Sequence, residues 1–313
     1  MINTIMSKKP PQRSHLLRPR YWPTWLAIFI LWLLAKLPYR LQFKIGKGLG
    51  LLAMRILTSR QRIARINITR CFPQLSTMQV EQLVRQSFIA LGQGILSLAV
   101  AWWANSKRLR KLIVNVEGLP HLQQAFAKKR GVILLTCHTT ADEIGARFTS
   151  LLCDNPLNIM HRQQSNVLFE HVLQKKRHRY IKQVILRANI RQMLKALKNN
   201  EGVFYLPDQN FEENHSIFVP YMGINTLTLT ATARFARMNH CVVLPCFCIQ
   251  RADGKGFNVI YQPALEDYPS GDERADAIRI NQIFERVIRA HPEQYLWVHR
   301  RFKIRPKGEA PFY

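Results

Sequence analysis

The 313-residue chain carries 46 Lys and Arg against 19 Asp and Glu, a formal charge of +27 with a pI near 10.5, so the surface or partner it meets is anionic. A hydrophobic share of 47% is ordinary for a chain with a substantial core, and the length suits one large α/β domain with an N-terminal attachment. The basic residues are spread along the chain, with no helix-turn-helix, zinc-finger or RNA-binding signature, which favours a phosphate-bearing lipid surface over nucleic acid.

In chain order, residues 1–20 read as a mobile basic lead containing Lys8, Lys9, Arg13, Arg18 and Arg20. Tyr21 to Ala35 then runs without a charge and is rich in Leu, Ile and Trp. At ~1.5 Å per residue it makes about 22 Å of helix, short of the roughly 30 Å hydrocarbon core. Lys36 can snorkel and let Leu37 extend the run. Residues 21–39 are therefore expected to anchor without necessarily crossing. Leu37, Pro38, Tyr39 and Arg40 provide no small-residue cleavage site, which argues against a removed signal peptide. Basic residues on both sides leave the orientation open.

Residues 40–110 read as a helical, membrane-proximal region. Ser76 or Thr77 starts a helix with Glu81 in its first turn. The uncharged run Phe88 to Ala104, interrupted by Gly92, Gln93 and Gly94, reads as a buried or interfacial helix rather than a span. Its Trp102 and Trp103 can touch headgroups or an acyl chain. From 111 to 313 strand and helix patterns alternate, with strands at 115–119, 131–136, 157–160, 203–206, 242–246 and 258–261. Helices fill 123–129, 140–152, 165–177, 188–198, 226–238 and 272–290. The alternation predicts a layered α/β domain around a central sheet, with no internal repeat.

The chemistry concentrates after the apolar run Gly131 to Thr136. His138 on a strand-to-helix turn sits where open α/β sheets bind ligands. Thr139 or Thr140 can cap the next helix. Glu143, one turn in, can fold back onto the imidazole, with Asp142 as a rival acid; Thr140 and Glu143 also fit a capping box, which needs no chemistry. Cys137 points to the opposite face from His138, so a Cys-His nucleophile is disfavoured. Asp208 and Gln209 follow another strand behind Pro207, and a buried carboxylate there must find partners. Arg162 follows the strand ending Met160-His161 and can grip phosphate or approach an oxyanion. His299, Arg300, Arg301, Lys303 and Arg305, interleaved with Trp297 and Phe302, can serve phosphate headgroups.

Six cysteines without CxxC pairs fit reduced, buried thiols. No metal-ligand spacing and no Gly-rich nucleotide loop occurs, so neither metal nor cofactor is expected.

Asn67 to Ser76 with Arg70-Cys71-Phe72-Pro73, Gly131 to Glu143, Gly202 to Gln209, Phe218 to Gly223, and Pro292 to Phe302, which reads PEQYLWVHRRF, form ordered blocks. Together they resemble the late acyltransferases of lipid A biosynthesis, the lauroyl and myristoyl enzymes, within the glycerolipid acyltransferase superfamily. The resemblance implies a glycerol-3-phosphate acyltransferase-like central mixed sheet flanked by helices. It also implies transfer from acyl carrier protein to the 3-hydroxyl of a chain already on a lipid A precursor, on the cytoplasmic face of a bacterial inner membrane. In that frame His138 is the general base, steadied by Glu143, Arg162 matches the second-block arginine and Asn166 a later position of that block. The basic stretch around Arg300 and Arg301 meets headgroups or the acidic carrier. Two alternatives stay open: acylation of another glycolipid or glycerolipid, and a non-catalytic basic membrane or nucleic-acid binding protein, which leaves His138, Glu143 and Asp208 unexplained.

Overall fold

The computed structural model describes residues 13–209 and 215–313; residues 1–12 of the expected basic lead lie outside them. Among the described residues six α-helices and a short 3-10 turn, Pro19–Tyr21, precede the first strand: α1 (Arg13–Leu16), α2 (Trp22–Lys36), α3 (Tyr39–Ile56), α4 (Thr58–Cys71), α5 (Thr77–Trp103) and α6 (Ser106–Arg110). The order continues β1 (Ile113–Glu117), α7 (Leu119–Ala127), β2 (Val132–Leu135), α8 (Asp142–Leu152), β3 (Leu157–His161), α9 (Val167–Arg177), β4 (Gln183–Leu186), α10 (Ile190–Lys198) and β5 (Gly202–Tyr205). It closes with β6 (Ser216–Tyr221), β7 (Ile224–Leu229), α11 (Ala231–Asn239), β8 (Val242–Gln250), β9 (Phe257–Tyr261) and α12 (Glu273–Ala290).

Seven strands form one sheet in the order β1-β9-β8-β2-β5-β3-β4. Only the β8–β9 pair is antiparallel, so the sheet is mixed, with helices on both faces. Strand β2 is buried at every position, as a central strand covered on both sides must be. Its side chains alternate between two cores. Ile133 and Leu135 join Val203, Tyr205 and Val243 under α10, α11 and α12, whereas Val132 and Leu134 join Phe204 and Leu244 under α7, α8 and α9. Each such side chain contributes roughly 1.5–3 kcal/mol when buried.

Helix α5 joins what the sequence separates into a start at Ser76 and an apolar run from Phe88. Ser76 and Gln79 close a capping box at its N-terminus, and the helix runs unbroken to Trp103. Among the described residues it is the one helix long and apolar enough to cross a membrane by length and composition, and 61% of its apolar window is buried inside the fold. Gly92 explains how α3 comes so near. A Cβ there would lie 2.2 Å from the Gly46 carbonyl oxygen and 2.4 Å from the Gly50 nitrogen, so only glycines permit this crossing. Helix α2 packs on α5 and turns Trp22, Leu26, Phe29, Ile30 and Leu33 outward.

The expected strands and helices are present with shifted ends, and three strands depart from the expectation. The segment expected to begin a helix at residue 226 is strand β7, whose Thr226 and Thr228 side chains are buried. It pairs with β6 across Met222-Gly223, both at positive φ, the two-residue turn that suits a twisted hairpin. Hairpin strand β6 and edge strand β4, the latter flanked by charged residues, are also absent from the expected strands. The C-terminal segment returns across α4: Asn67 Nδ2 donates to the carbonyls of Trp297 (2.7 Å) and His299 (2.9 Å), and Tyr313 donates to Asn67 Oδ1 at 2.6 Å.

Candidate active site

Strands β2 and β5 lie side by side in parallel, with Leu135 opposite Tyr205. The pairing continues one step further, where Thr136 N–H donates to the Tyr205 carbonyl at 3.1 Å. His138 stands three residues beyond Leu135 and Asp208 three beyond Tyr205, so matched departures bring them together at the carboxyl end of the sheet. His138 Nδ1 lies 2.6 Å from Asp208 Oδ1, and the His138 backbone N–H donates to Oδ2 at 3.1 Å. One residue thus holds both carboxylate oxygens. The Asp208 side chain is 1% exposed and that of His138 28%: the acid is sealed while the ring keeps an open edge.

Burial pushes His138 toward the neutral form, but the Asp208 carboxylate outweighs it and the net shift is upward. Asp208 moves the other way, below the usual carboxylate range, because the imidazole offsets its burial. An imidazole fixed at Nδ1 in this manner can offer Nε2 as a base.

Glu143, expected to steady His138, does not touch it. Helix rotation separates the two adjacent acids: Asp142 turns back to accept from Thr139 N–H and Oγ1 at 2.8 and 2.7 Å, while Glu143 faces α5 and α9. There Arg177 donates from Nε at 3.1 Å and from Nη2 at 2.7 Å, Tyr180 donates its hydroxyl at 2.6 Å and Trp102 its indole N–H at 3.2 Å. A buried guanidinium requires such a counter-charge. Burial raises the Glu143 pKa, but Arg177 outweighs it and the net shift is downward, so Glu143 stays charged. Arg177 Nη1 also donates to His161 Nδ1 at 3.1 Å, so His161 carries its proton on Nε2, 2.9 Å from Glu170. The Thr140–Glu143 capping box does not form, and neither Thr139 nor Thr140 caps α8, whose N-cap is Ala141.

Asp142 lies near the His138–Asp208 pair, and burial pushes its carboxyl up to about 7 despite the nearby His138. His299 is held down to about 4, chiefly by burial, so this member of the C-terminal basic stretch is a neutral lining residue. The turn carrying these groups is braced from outside: Thr140 N–H donates to the Gln294 carbonyl at 2.9 Å. From α5, Gly94 leaves no room for a Cβ, which would meet the Thr140 carbonyl oxygen at 2.5 Å.

The His138 ring borders a cavity of about 640 Å³, within the usual range for ligand clefts of roughly 300–1,000 Å³. Its lining combines the apolar side chains of Ala146 of α8, Cys246 and Cys248 of β8, Val259 of β9, Ile159 and Phe204 with the buried Asp142, Glu143, His161 and Arg177. Tyr261, also in the lining, donates to Thr149 Oγ1 at 2.9 Å. Segments that follow β3, β4 and β5 add Arg162, Gln163, Gln164, Ser165, Arg187 and Gln209 as a further polar part.

The remaining candidates separate. Arg162 and Gln209 line the cavity. Asn166 instead caps α9, accepting from Phe169 N–H at 3.0 Å, and donates to Thr24 of α2 at 2.9 Å. Arg301 is 2% exposed, donating to the Leu227 carbonyl at 2.8 Å and to Thr228 Oγ1 at 3.3 Å; it ties β7 in place and cannot meet a headgroup. Arg300 is exposed beside the Tyr313 ring. Trp102, expected near lipid, is buried. Cys137 is buried in the core opposite the cavity, as alternation required. Among the described residues no group of His, Cys, Asp and Glu is placed to hold a metal. Arg177 and Tyr180 were not anticipated, because nothing local in their sequence distinguishes them from the basic surface around them.

A family model described as bacterial lipid A biosynthesis acyltransferase matches residues 9–304. The lipid A biosynthesis palmitoleoyltransferase of Escherichia coli (strain K12) is 37% identical over 298 residues, covering 95% of this chain and 96% of that protein. The lauroyltransferase of the same organism is 35% identical over 304 residues, with 97% and 98% covered. Its myristoyltransferase is 28% identical over 298 residues, with 94% and 91% covered. The chain belongs to the bacterial lipid A biosynthesis acyltransferases.

Proposed function

We propose that the protein transfers a fatty acyl chain from the thioester of acyl carrier protein to a hydroxyl of an acyl chain on a lipid A precursor, with His138 as general base. The observation that carries this reading is the His138–Asp208 pair, open at the ring and sealed at the acid, on the border of a cavity lined by both apolar and polar side chains. Asp208 takes the steadying role first given to Glu143. Nδ1 keeps its proton toward Asp208, and Nε2 accepts the proton of the incoming alcohol as its oxygen attacks the thioester carbonyl carbon. The C–S bond then breaks, and the thiolate recovers that proton from the imidazolium. Ester and free thiol result, and no protein nucleophile is needed. Arg162 and Gln209 line the same cavity, where they can serve phosphate or a developing oxyanion.

Attachment to the inner membrane from its cytoplasmic side accords with α2, whose aromatic and aliphatic side chains face outward. Its fifteen residues make about 22 Å, which suits a helix seated in one leaflet better than a clean crossing. In this reading residues 21–39 attach, 40–110 form a helical collar, and 111–313 carry the chemistry.

The test is mass spectrometry after incubating purified protein with acyl carrier thioesters and a tetra-acylated precursor. A product heavier by one acyl group is expected, and the mass increment gives the chain length. Transfer to a glycerolipid acceptor with none to the precursor would replace this reading by its glycerolipid alternative.

A further inference from the structure

Helix α10 presents a cationic stripe that leads away from the cavity. Arg191, Lys195 and Lys198 are all exposed, at intervals of four and three residues that keep them on one face. The opposite face, Met193, Ala196 and Leu197, is buried. At its start the stripe meets Arg187, which lines the cavity. At its end it meets the exposed Lys129 and Arg130, because Asn200 Oδ1 accepts from Gly131 N–H at 3.1 Å and binds that turn to the helix end. The stretch from Arg187 to Asn200 contains no Asp or Glu. The next carboxylate, Glu201, is buried and already paired with Lys182.

We infer that this stripe is the docking surface for the acidic protein that carries the acyl donor. The inference rests on the donor reading above. Three observations select a protein over a lipid surface. The outward apolar residues that suit a bilayer lie chiefly on α2 and α3, and none of the exposed large apolar residues lies on α10; Ile28 of α2 packs into the core under α8 and α9, whereas α10 packs on the other face of the sheet. The stripe itself displays charge without exposed large apolar side chains between its basic residues, as suits an electrostatic contact with an acidic helix rather than insertion. One end of the stripe reaches Arg187, which lines the cavity, so a carrier seated on α10 holds its thioester arm beside the cavity.

The experiment compares the full-length protein with the triple variant R191E/K195E/K198E, using acyl carrier thioester and the tetra-acylated precursor, each varied in turn. The expected result is a KM for the carrier raised about tenfold or more, with kcat at saturating carrier and KM for the precursor unchanged. Raising the salt from about 50 to about 300 mM is expected to weaken carrier use by the wild type and to have little effect on the variant. Unchanged kcat certifies the fold of the variant. An unaltered KM for the carrier overturns the proposal, and so does a loss of binding to anionic vesicles with the carrier KM unmoved, which would make the stripe a lipid contact. If the wild type transfers from acyl-CoA but not from the carrier, the donor reading itself falls. Should the triple variant aggregate, the single variants K195E and K198E, each expected to raise the carrier KM alone, decide the matter.

Discussion

Asp208 and Glu143 are both buried carboxylates beside one cavity, yet their partners set them apart. Asp208 faces an imidazole that can gain and lose a proton and that keeps an open edge toward the cavity. Glu143 faces a guanidinium that remains charged, with a tyrosine hydroxyl and an indole filling its other acceptor positions. The first arrangement suits proton transfer, and the second suits holding α5, α8 and α9 in register. Proximity to a motif histidine does not make an acid its partner; the identity and exposure of what the acid touches decide its part.

Four substitutions test that division. His138→Ala is expected to lower turnover by about 10³-fold or more, since it removes the base itself; membrane association should persist, as vesicle sedimentation would show. Full turnover in that variant would discard the base. Asp208→Asn should cost about 10²-fold in kcat and move the rising limb of the pH–kcat/KM profile to lower pH, because the carboxylate that lifts His138 is gone. A limb that stays in place would mean that Asp208 does not govern the imidazole. Glu143→Gln removes the carboxylate that Arg177 touches directly, so a destabilisation of about 3–5 kcal/mol is expected, read as a fall of several degrees in melting temperature. Any activity it loses should be lost without moving the pH limb. A moved limb would join the two clusters into one.

Asp142→Asn should have the smallest effect on turnover. The folded carboxyl is raised to about 7 from an unfolded value of 3.8, so the unfolded chain releases its proton first and stability declines as pH rises from about 4 to about 7. The asparagine oxygen can still accept from Thr139. The variant should therefore melt higher than the wild type at pH 8 and equally at pH 4, and a lower melting temperature at pH 8 would refute the assigned shift.

Much of the α/β layout was legible because continuous apolar runs bounded by Gly and basic turns mark central strands, as at Val132–Leu135 and Val242–Cys246. Strand β4 was hidden by its brevity and by the charged residues around it. Strand β7 was hidden by alternating threonines that read as part of the following helix. At the site, His138 and Asp208 were both found from their places after strands, and the need of a buried carboxylate for a partner was evident. That each was the other's partner was not, because they are 70 residues apart and the pairing depends on which strands become neighbours. Glu143 misled for the opposite reason: sequence nearness suggested a contact that helix rotation forbids. Arg301 looked like its exposed neighbour Arg300 until β7 was seen to need its donors.

The equal offsets of His138 and Asp208 from paired strand ends have an evolutionary and engineering corollary. Side chains on an extended backbone alternate in direction, so inserting or deleting one residue between Leu135 and His138, or between Tyr205 and Asp208, would swing a reactive group toward the opposite layer of the molecule. Replacing wall residues leaves that spacing untouched. Diversification of this scaffold toward new acyl lengths or acceptors is thus free to proceed through the lining, while the two short connectors must keep their length.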